Sequence, residues 1–269
     1  MISLTLPYER LRTQKKLFGI LNSVSSLTIV EMIVTAGYDF ILFDLEHLPH
    51  NETLLSQCIQ MTHLNDCIPL VRLTQADISK VGRILDMGAH GIVLSRTESV
   101  EDVSELRDAM FFPPKGKRGI TGGSVTGFGS LHLDEYILQA NSKLWLVPMI
   151  ESSRGIESID DILSIPEITM VMEGALDLAL NMQLGPQPSH PEVEAQIQHL
   201  AERCVVAGKT FCANPRTQEQ QQYWCSKGIS CWLCGEDRGF LFRSLKERLA
   251  DLQFSNSPDG SEFLISAEK

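Results

Sequence analysis

The chain has 269 residues, enough for one large α/β domain or two smaller ones. With 43% hydrophobic and 21% charged residues it is globular in composition, which excludes a disordered chain. A balance of 23 basic against 34 acidic residues, net −11, argues against recognition of a nucleic-acid backbone, which needs a basic face.

From the start, Met1–Lys16 carries no long apolar run behind its charges, so no signal peptide is expected. No later stretch approaches the roughly 18 apolar residues of a membrane helix, and a cytoplasmic location follows as an expectation. Leu17–Asn22 reads as the first strand and Ser26–Ala36 as a helix stopped by Gly37. Phe40–Glu46 is the second strand, and Asn51 caps a helix running to His63. Ile68–Leu73 is the third strand. Asp77–Met87 follows as a helix capped by Asp77 and ended by Gly88.

Gly91–Ser95 predicts a fourth strand and Ser99–Met110 its helix. Phe111–Ser130, with Pro113, Pro114 and six glycines, is too long for a plain connector, and such loops are often functional. A short helix at Leu133–Ala140 leads to the fifth strand, Leu144–Glu151, and then to a helix at Gly155–Leu163. Ile168–Gly174 is the sixth strand, delivering Asp177 beyond its end, with a loop through Pro186 and Pro188 after it. The helix Pro191–Val206, the strand Lys209–Ala213, the helix Thr217–Lys227, the strand Ile229–Gly235 and the helix Arg238–Leu252 complete the pattern. Eight strands each followed by a helix predict a (β/α)8 TIM barrel, a single domain over residues 1–254. The polar residues 255–269 read as a mobile tail. A doubly wound open sheet is the alternative, but no G-x-G-x-x-G follows the first strand.

Seven cysteines without framework spacing suit reduced thiols. Cys231 and Cys234 form a C-x-x-C inside a predicted strand, where residues three apart face opposite sides and are badly placed to share zinc. Trp145, Trp224 and Trp232 read as core. His50, His63, His90, His132, His190 and His199 read as surface or packing residues.

Several apolar strands end abruptly in polar residues. Burying carboxylates without partners costs several kcal/mol, so such ends point to one shared site. In a barrel that site lies at the carboxyl ends of the strands, where Asp44, Glu46, His47, Arg72, Glu151 and Asp177 are predicted to fall. Glu151 and Asp177 are oxygen donors of the kind a divalent cation such as Mg2+ takes. Arg72 offers a planar fork for a carboxylate, and His47 can carry a proton near neutral pH. Together they suit a small 2-keto acid, its carboxylate on the arginine and its carbonyl oxygen on a metal.

The motifs Gly37-Tyr-Asp-Phe, Phe43-Asp-Leu-Glu-His47, Val71-Arg72, Pro113-Pro-Lys-Gly-Lys-Arg-Gly119, Ile150-Glu151 and Gly174-Ala-Leu-Asp177-Leu resemble the metal-dependent class II pyruvate aldolases. This is the group of 2-oxo-heptane-dioate aldolase and citrate lyase β-like barrels. The resemblance runs from about Gly19 to Asp237. It implies that Glu151 and Asp177 are metal ligands, that Arg72 binds the keto-acid carboxylate and that His47 transfers protons. Asp44 and Glu46 would orient metal-bound water. It also places a partner for the histidine at Asp86, which could reach a site only in a neighbouring subunit.

Three departures bear on the substrate. The family usually has glycine at Leu45, glutamine at Met149, and Pro-Ala where this chain has Ala175-Leu176, so Met149, Gly174, Ala175 and Leu176 mark an altered substrate pocket. Within the family, the pattern resembles the aldolase-like citrate synthases of staphyloferrin-type siderophore biosynthesis. That branch implies condensation of oxaloacetate with acetyl-CoA to give citrate and CoA. Lys115, Lys117 and Arg118 are then candidate seats for the CoA phosphates. The resemblance further implies a homo-oligomer, dimeric or higher, assembled through the last helix. Its Phe240, Leu241, Leu245 and Leu249 form an apolar stripe that could also pack on its own barrel. The alternatives are an aldolase of 4-hydroxy-2-keto acids, a non-catalytic keto-acid or citrate sensor, and a zinc-stapled interaction protein.

Overall fold

The computed structural model describes residues 16–48 and 51–254. His50 and the predicted tail lie outside the described residues. The chain begins β1 (Leu17–Asn22), α1 (Leu27–Thr35), β2 (Phe40–Asp44), α2 (Glu52–Leu64), β3 (Ile68–Leu73), α3 (Val81–Asp86), β4 (Gly91–Leu94) and α4 (Val100–Met110). It continues with α5 (Leu133–Lys143), β5 (Trp145–Ile150), α6 (Ser153–Glu157), α7 (Ile159–Leu163), β6 (Met170–Glu173) and α8 (Ala175–Asn181). α9 (Pro191–Val206), β7 (Thr210–Ala213), α10 (Gln218–Ser226), β8 (Cys231–Glu236) and α11 (Asp237–Phe254) close it. The strands pair in parallel and in sequence order, and β8 returns to β1, so the sheet is a closed barrel.

Side chains alternate between two buried environments, which is why the strands read as unbroken apolar runs. Phe40 and Leu42 of β2, Ile68 and Leu70 of β3, and Trp145, Val147 and Met149 of β5 fill the barrel interior. Ile41, Phe43, Val71, Leu146 and Ile150 pack under the helices. Continuing the alternation puts Asp44, Arg72 and Glu151 at the next inward positions, at the carboxyl ends of their strands. The interior is rich in sulfur, with Met149, Met170, Met172, Cys212 and Cys231 all buried there. Cys234, half-buried, lies outside that inner cluster and packs with the outer core.

Three elements differ from the sequence expectation. The segment after β3 is a 3-10 turn, Gln75–Lys80, before α3; Asp77 lies within it, accepting from Thr74 Oγ1 at 2.8 Å, rather than capping an α-helix. The predicted helix Gly155–Leu163 is two short helices meeting at Ser158, whose φ of −89° and ψ of 4° break the ladder. The residues after β6 form α8 where a loop was expected, so Asp177 stands in the first turn of a helix. Of the apolar stripe of α11, Phe240 lies over Gly235 of β8, while Leu241, Leu245 and Leu249 are 45%, 62% and 58% exposed, and Phe18 on β1 is 42% exposed. No helix among the described residues is long and apolar enough to cross a membrane.

Candidate functional site

Asp44 and Arg72 are register partners at the ends of β2 and β3. Arg72 donates from Nε to Asp44 Oδ1 at 3.0 Å and from Nη2 to Oδ2 at 2.8 Å, the two-point geometry that a guanidinium fork matches. Asp44 Oδ1 also accepts the backbone N–H groups of Glu46 and His47, at 3.0 and 3.4 Å, which folds the chain over the strand end. Burial alone would raise the Asp44 carboxyl; the Arg72 contact outweighs it and holds the group below its usual range. The remaining arginine nitrogen, Nη1, faces Met149 Sδ at 3.9 Å.

Glu46, with its side chain 6% exposed, sits among three basic groups. Its Oε2 lies 3.5 Å from Arg72 Nε and 3.6 Å from His47 Nε2, and its Oε1 lies 3.6 Å from Arg96 Nε. His47 is half exposed, so its imidazole stands in the mouth within reach of a ligand. Asp44 thus holds the arginine, and Glu46 lies between the arginine and the histidine.

Glu151 follows β5 and is buried. Burial, reinforced by Glu46 and Asp177 and only partly opposed by the Arg96 N–H and Arg72, pushes its carboxyl up to about 7. Its Oε1 accepts the backbone N–H of Arg96 at 2.6 Å. Its Oε2 lies against Gly174, where a Cβ would collide with it. Asp177 approaches from α8, near enough for the two carboxylates to repel. Among the described residues no three acids, histidines or cysteines cluster as a ready-made metal site. Two converging carboxylates, one with its ionisation suppressed, are still what Mg2+ takes when substrate and water supply the other oxygens. The donor set fits such an ion.

Sequence reasoning missed Arg96 and the pair Glu173–Arg216. Arg216 donates from Nη1 and Nη2 to the two Glu173 oxygens at 2.9 and 3.1 Å, and Ala175 N–H donates to Glu173 Oε2 at 2.8 Å. This ties the loop after β7 to the start of α8 and so fixes where Asp177 stands. Ala175 is buried with its N–H committed to Glu173, while Leu176 is 47% exposed.

Lys115, Lys117 and Arg118 are not brought to the mouth. Helices run antiparallel to barrel strands, so the segment after α4 lands at the amino-terminal end. There Lys115 Nζ donates to the Asn141 carbonyl at the end of α5 at 2.9 Å, and Lys117 pairs with Asp108 at 2.8 Å. Arg118 is buried on Asp86 at 2.7 Å and over the Phe112 ring. Within one chain they and Asp86 are therefore remote from Arg72.

The chain was compared with known proteins. A family model described as HpcH/HpaI aldolase/citrate lyase matches residues 18–231. A hydroxypyruvate/pyruvate aldolase of Chromohalobacter salexigens is 31% identical, covering 82% of this chain and 87% of its own. A 2-keto-3-deoxy-L-rhamnonate aldolase of Shigella boydii is 27% identical, covering 92% and 93%. The crystal structure of citrate synthase SbnG superposes with a TM-score of 0.86 at 30% identity, covering 94% of this chain and 99% of that one.

Proposed function

Because the chain belongs to the HpcH/HpaI aldolase/citrate lyase family, and is an enzyme of the aldolase, lyase and citrate synthase group, we propose that it condenses oxaloacetate with acetyl-CoA to give citrate and CoA. The observation that carries this reading is the contact between Arg72 Nη1 and the Met149 sulfur. A thioether stands where the resemblance puts the glutamine of pyruvate aldolases, so the pocket beside the ketone is apolar on that side. It holds a keto acid as an electrophile without the amide that accompanies pyruvate as an enolate source. The likeness to citrate synthase SbnG supports the same choice.

In this reading Arg72 receives the carboxylate next to the ketone. Glu151 and Asp177 would hold a divalent cation, which would supply positive charge to polarise the ketone. His47, steadied by Glu46, removes a proton from the acetyl methyl group, and the resulting enolate attacks the ketone carbon. The imidazolium then returns the proton to the new alkoxide. Water cleaves the thioester to release CoA. The citrate would serve siderophore assembly, as in the branch the sequence resembles.

The test is to supply oxaloacetate and acetyl-CoA and quantify citrate and free CoA. Product formation that requires both substrates is expected. Pyruvate release from 4-hydroxy-2-keto acids without citrate formation would establish the second reading, an aldolase, which the curated relatives favour by name.

We also propose a homo-oligomer built on α11. Its apolar stripe is exposed and the outer wall at Phe18 is open, so a second copy's α11 seated there would cover both. Light scattering of the full chain should give a dimer or larger; a monomer for the full chain refutes it.

A further inference from the structure

Arg96 has a specific placement. It follows β4 with φ of +51°, in the left-handed region that non-glycine residues seldom occupy. Backbone held in a sparse region is kept by its surroundings, and here the holding contact is the hydrogen bond from Arg96 N–H to Glu151. That conformation sends the guanidinium across the mouth to Glu46, while the side chain stays 67% exposed. Arg72 and Arg96 therefore grip opposite oxygens of one carboxylate, Arg72 from inside the barrel and Arg96 from the rim.

We infer that Arg96 is the specificity-determining residue for a dicarboxylic 2-keto acid, binding the carboxylate distal to the ketone while Arg72 binds the proximal one. The inference rests on the keto-acid reading of the Arg72 site. Glu46 stands between the two guanidinium groups, Oε2 3.5 Å from Arg72 Nε and Oε1 3.6 Å from Arg96 Nε, so the two cations face one another across the mouth, one deep and one at the rim. The electrostatics agree. Arg72 is largely consumed by Asp44, so a second anionic group entering a mouth that already holds Asp44, Glu46, Glu151 and Asp177 needs a cation of its own. Arg96 is exposed enough to exchange Glu46 for substrate without disturbing the buried pair. A monocarboxylate such as pyruvate does not reach it.

The experiment is calorimetric titration of the full chain with oxaloacetate and, separately, pyruvate, for the wild type, R96N and R96K. Asparagine tolerates left-handed backbone, so R96N removes the guanidinium while keeping the loop and the Glu151 contact. Loss of a charge-assisted contact should weaken oxaloacetate roughly 10- to 100-fold in R96N and pyruvate by less than about twofold, with R96K retaining most of the affinity. Equal weakening of both acids, or oxaloacetate affinity within about twofold of wild type in R96N, overturns the inference. Citrate formation is followed in parallel. A wild type that makes no citrate but loses its preference for the dicarboxylate on R96N sinks the condensation and upholds Arg96. A wild type that makes citrate, with R96N binding both acids unchanged, does the reverse.

Discussion

Asp44 and Arg72 face each other across neighbouring strands and close a two-point ion pair with almost no exposure on either side chain, 2% and 10%. Removing one partner strands the other charge in the interior. D44A is expected to lower unfolding free energy by about 3–5 kcal/mol, because breaking a buried pair costs more than the pair itself contributes. Urea unfolding of the purified variant checks this. A change under about 1 kcal/mol would mean that water reaches Arg72 freely.

Glu151 sets a pH dependence of definite sign. Its folded value, about 7, lies above the 4.5 of an ordinary glutamate, so the folded state binds the extra proton between those values. Its contribution is therefore complete below about 4.5, declines as pH rises toward 7 and levels off above, by a total on the order of 3 kcal/mol. E151Q should flatten this limb in thermal unfolding measured from pH 4.5 to 8. Asp44 acts in the opposite sense: its folded value is lowered, and the stability it confers is present above the ordinary carboxyl range and lost on acidification below it.

The same carboxylate predicts a response to metal. At pH 8 a divalent cation relieves the repulsion of Glu151 by Asp177 and Glu46, so millimolar Mg2+ should raise Tm in the wild type. E151Q and D177N should respond less. An identical Tm gain in all three would place the ion elsewhere.

His47 is half exposed and contributes little packing. H47N should therefore unfold like the wild type while kcat falls about a hundred- to ten-thousand-fold, the usual contribution of a positioned proton-transfer group. Near wild-type turnover would assign the proton to another residue.

M149Q tests the feature on which the choice of reaction rests. The amide replaces the sulfur near Arg72 Nη1 with a group of similar length. Citrate formation should fall about tenfold or more while pyruvate release from a 4-hydroxy-2-keto acid rises, a redistribution of transition-state binding rather than a general loss. Parallel declines in both would mean that position 149 matters only for packing.

Much of the barrel could be read from patterning. β1, β3 and α9 have the boundaries that the apolar runs and caps imply, because each is bounded by local signals. Asp44, Arg72 and Glu151 were legible for a different reason: a charge closing an apolar run has few structural uses. Asp177 stands on a helix rather than beyond a strand end in a loop: Pro186 and Pro188 signal a loop, while the Ala-Leu-Asp-Leu-Ala-Leu run turns helical against the barrel. Arg96 was invisible. Nothing in Ser95-Arg-Thr-Glu marks a left-handed residue, and its partner Glu151 is 55 positions away. The basic loop at Lys115 shows why charge alone does not place a residue: a segment that follows a barrel helix ends up opposite the mouth.

Gly174 carries the last consequence. The Glu151 carboxylate leans on its bare α-carbon, and any methyl group there would evict it. G174A should therefore behave as a displaced acid rather than as a filled space, echoing defects at Glu151 although no charge has been altered. The smallest residue in the mouth is what sets the address of its most strongly perturbed one.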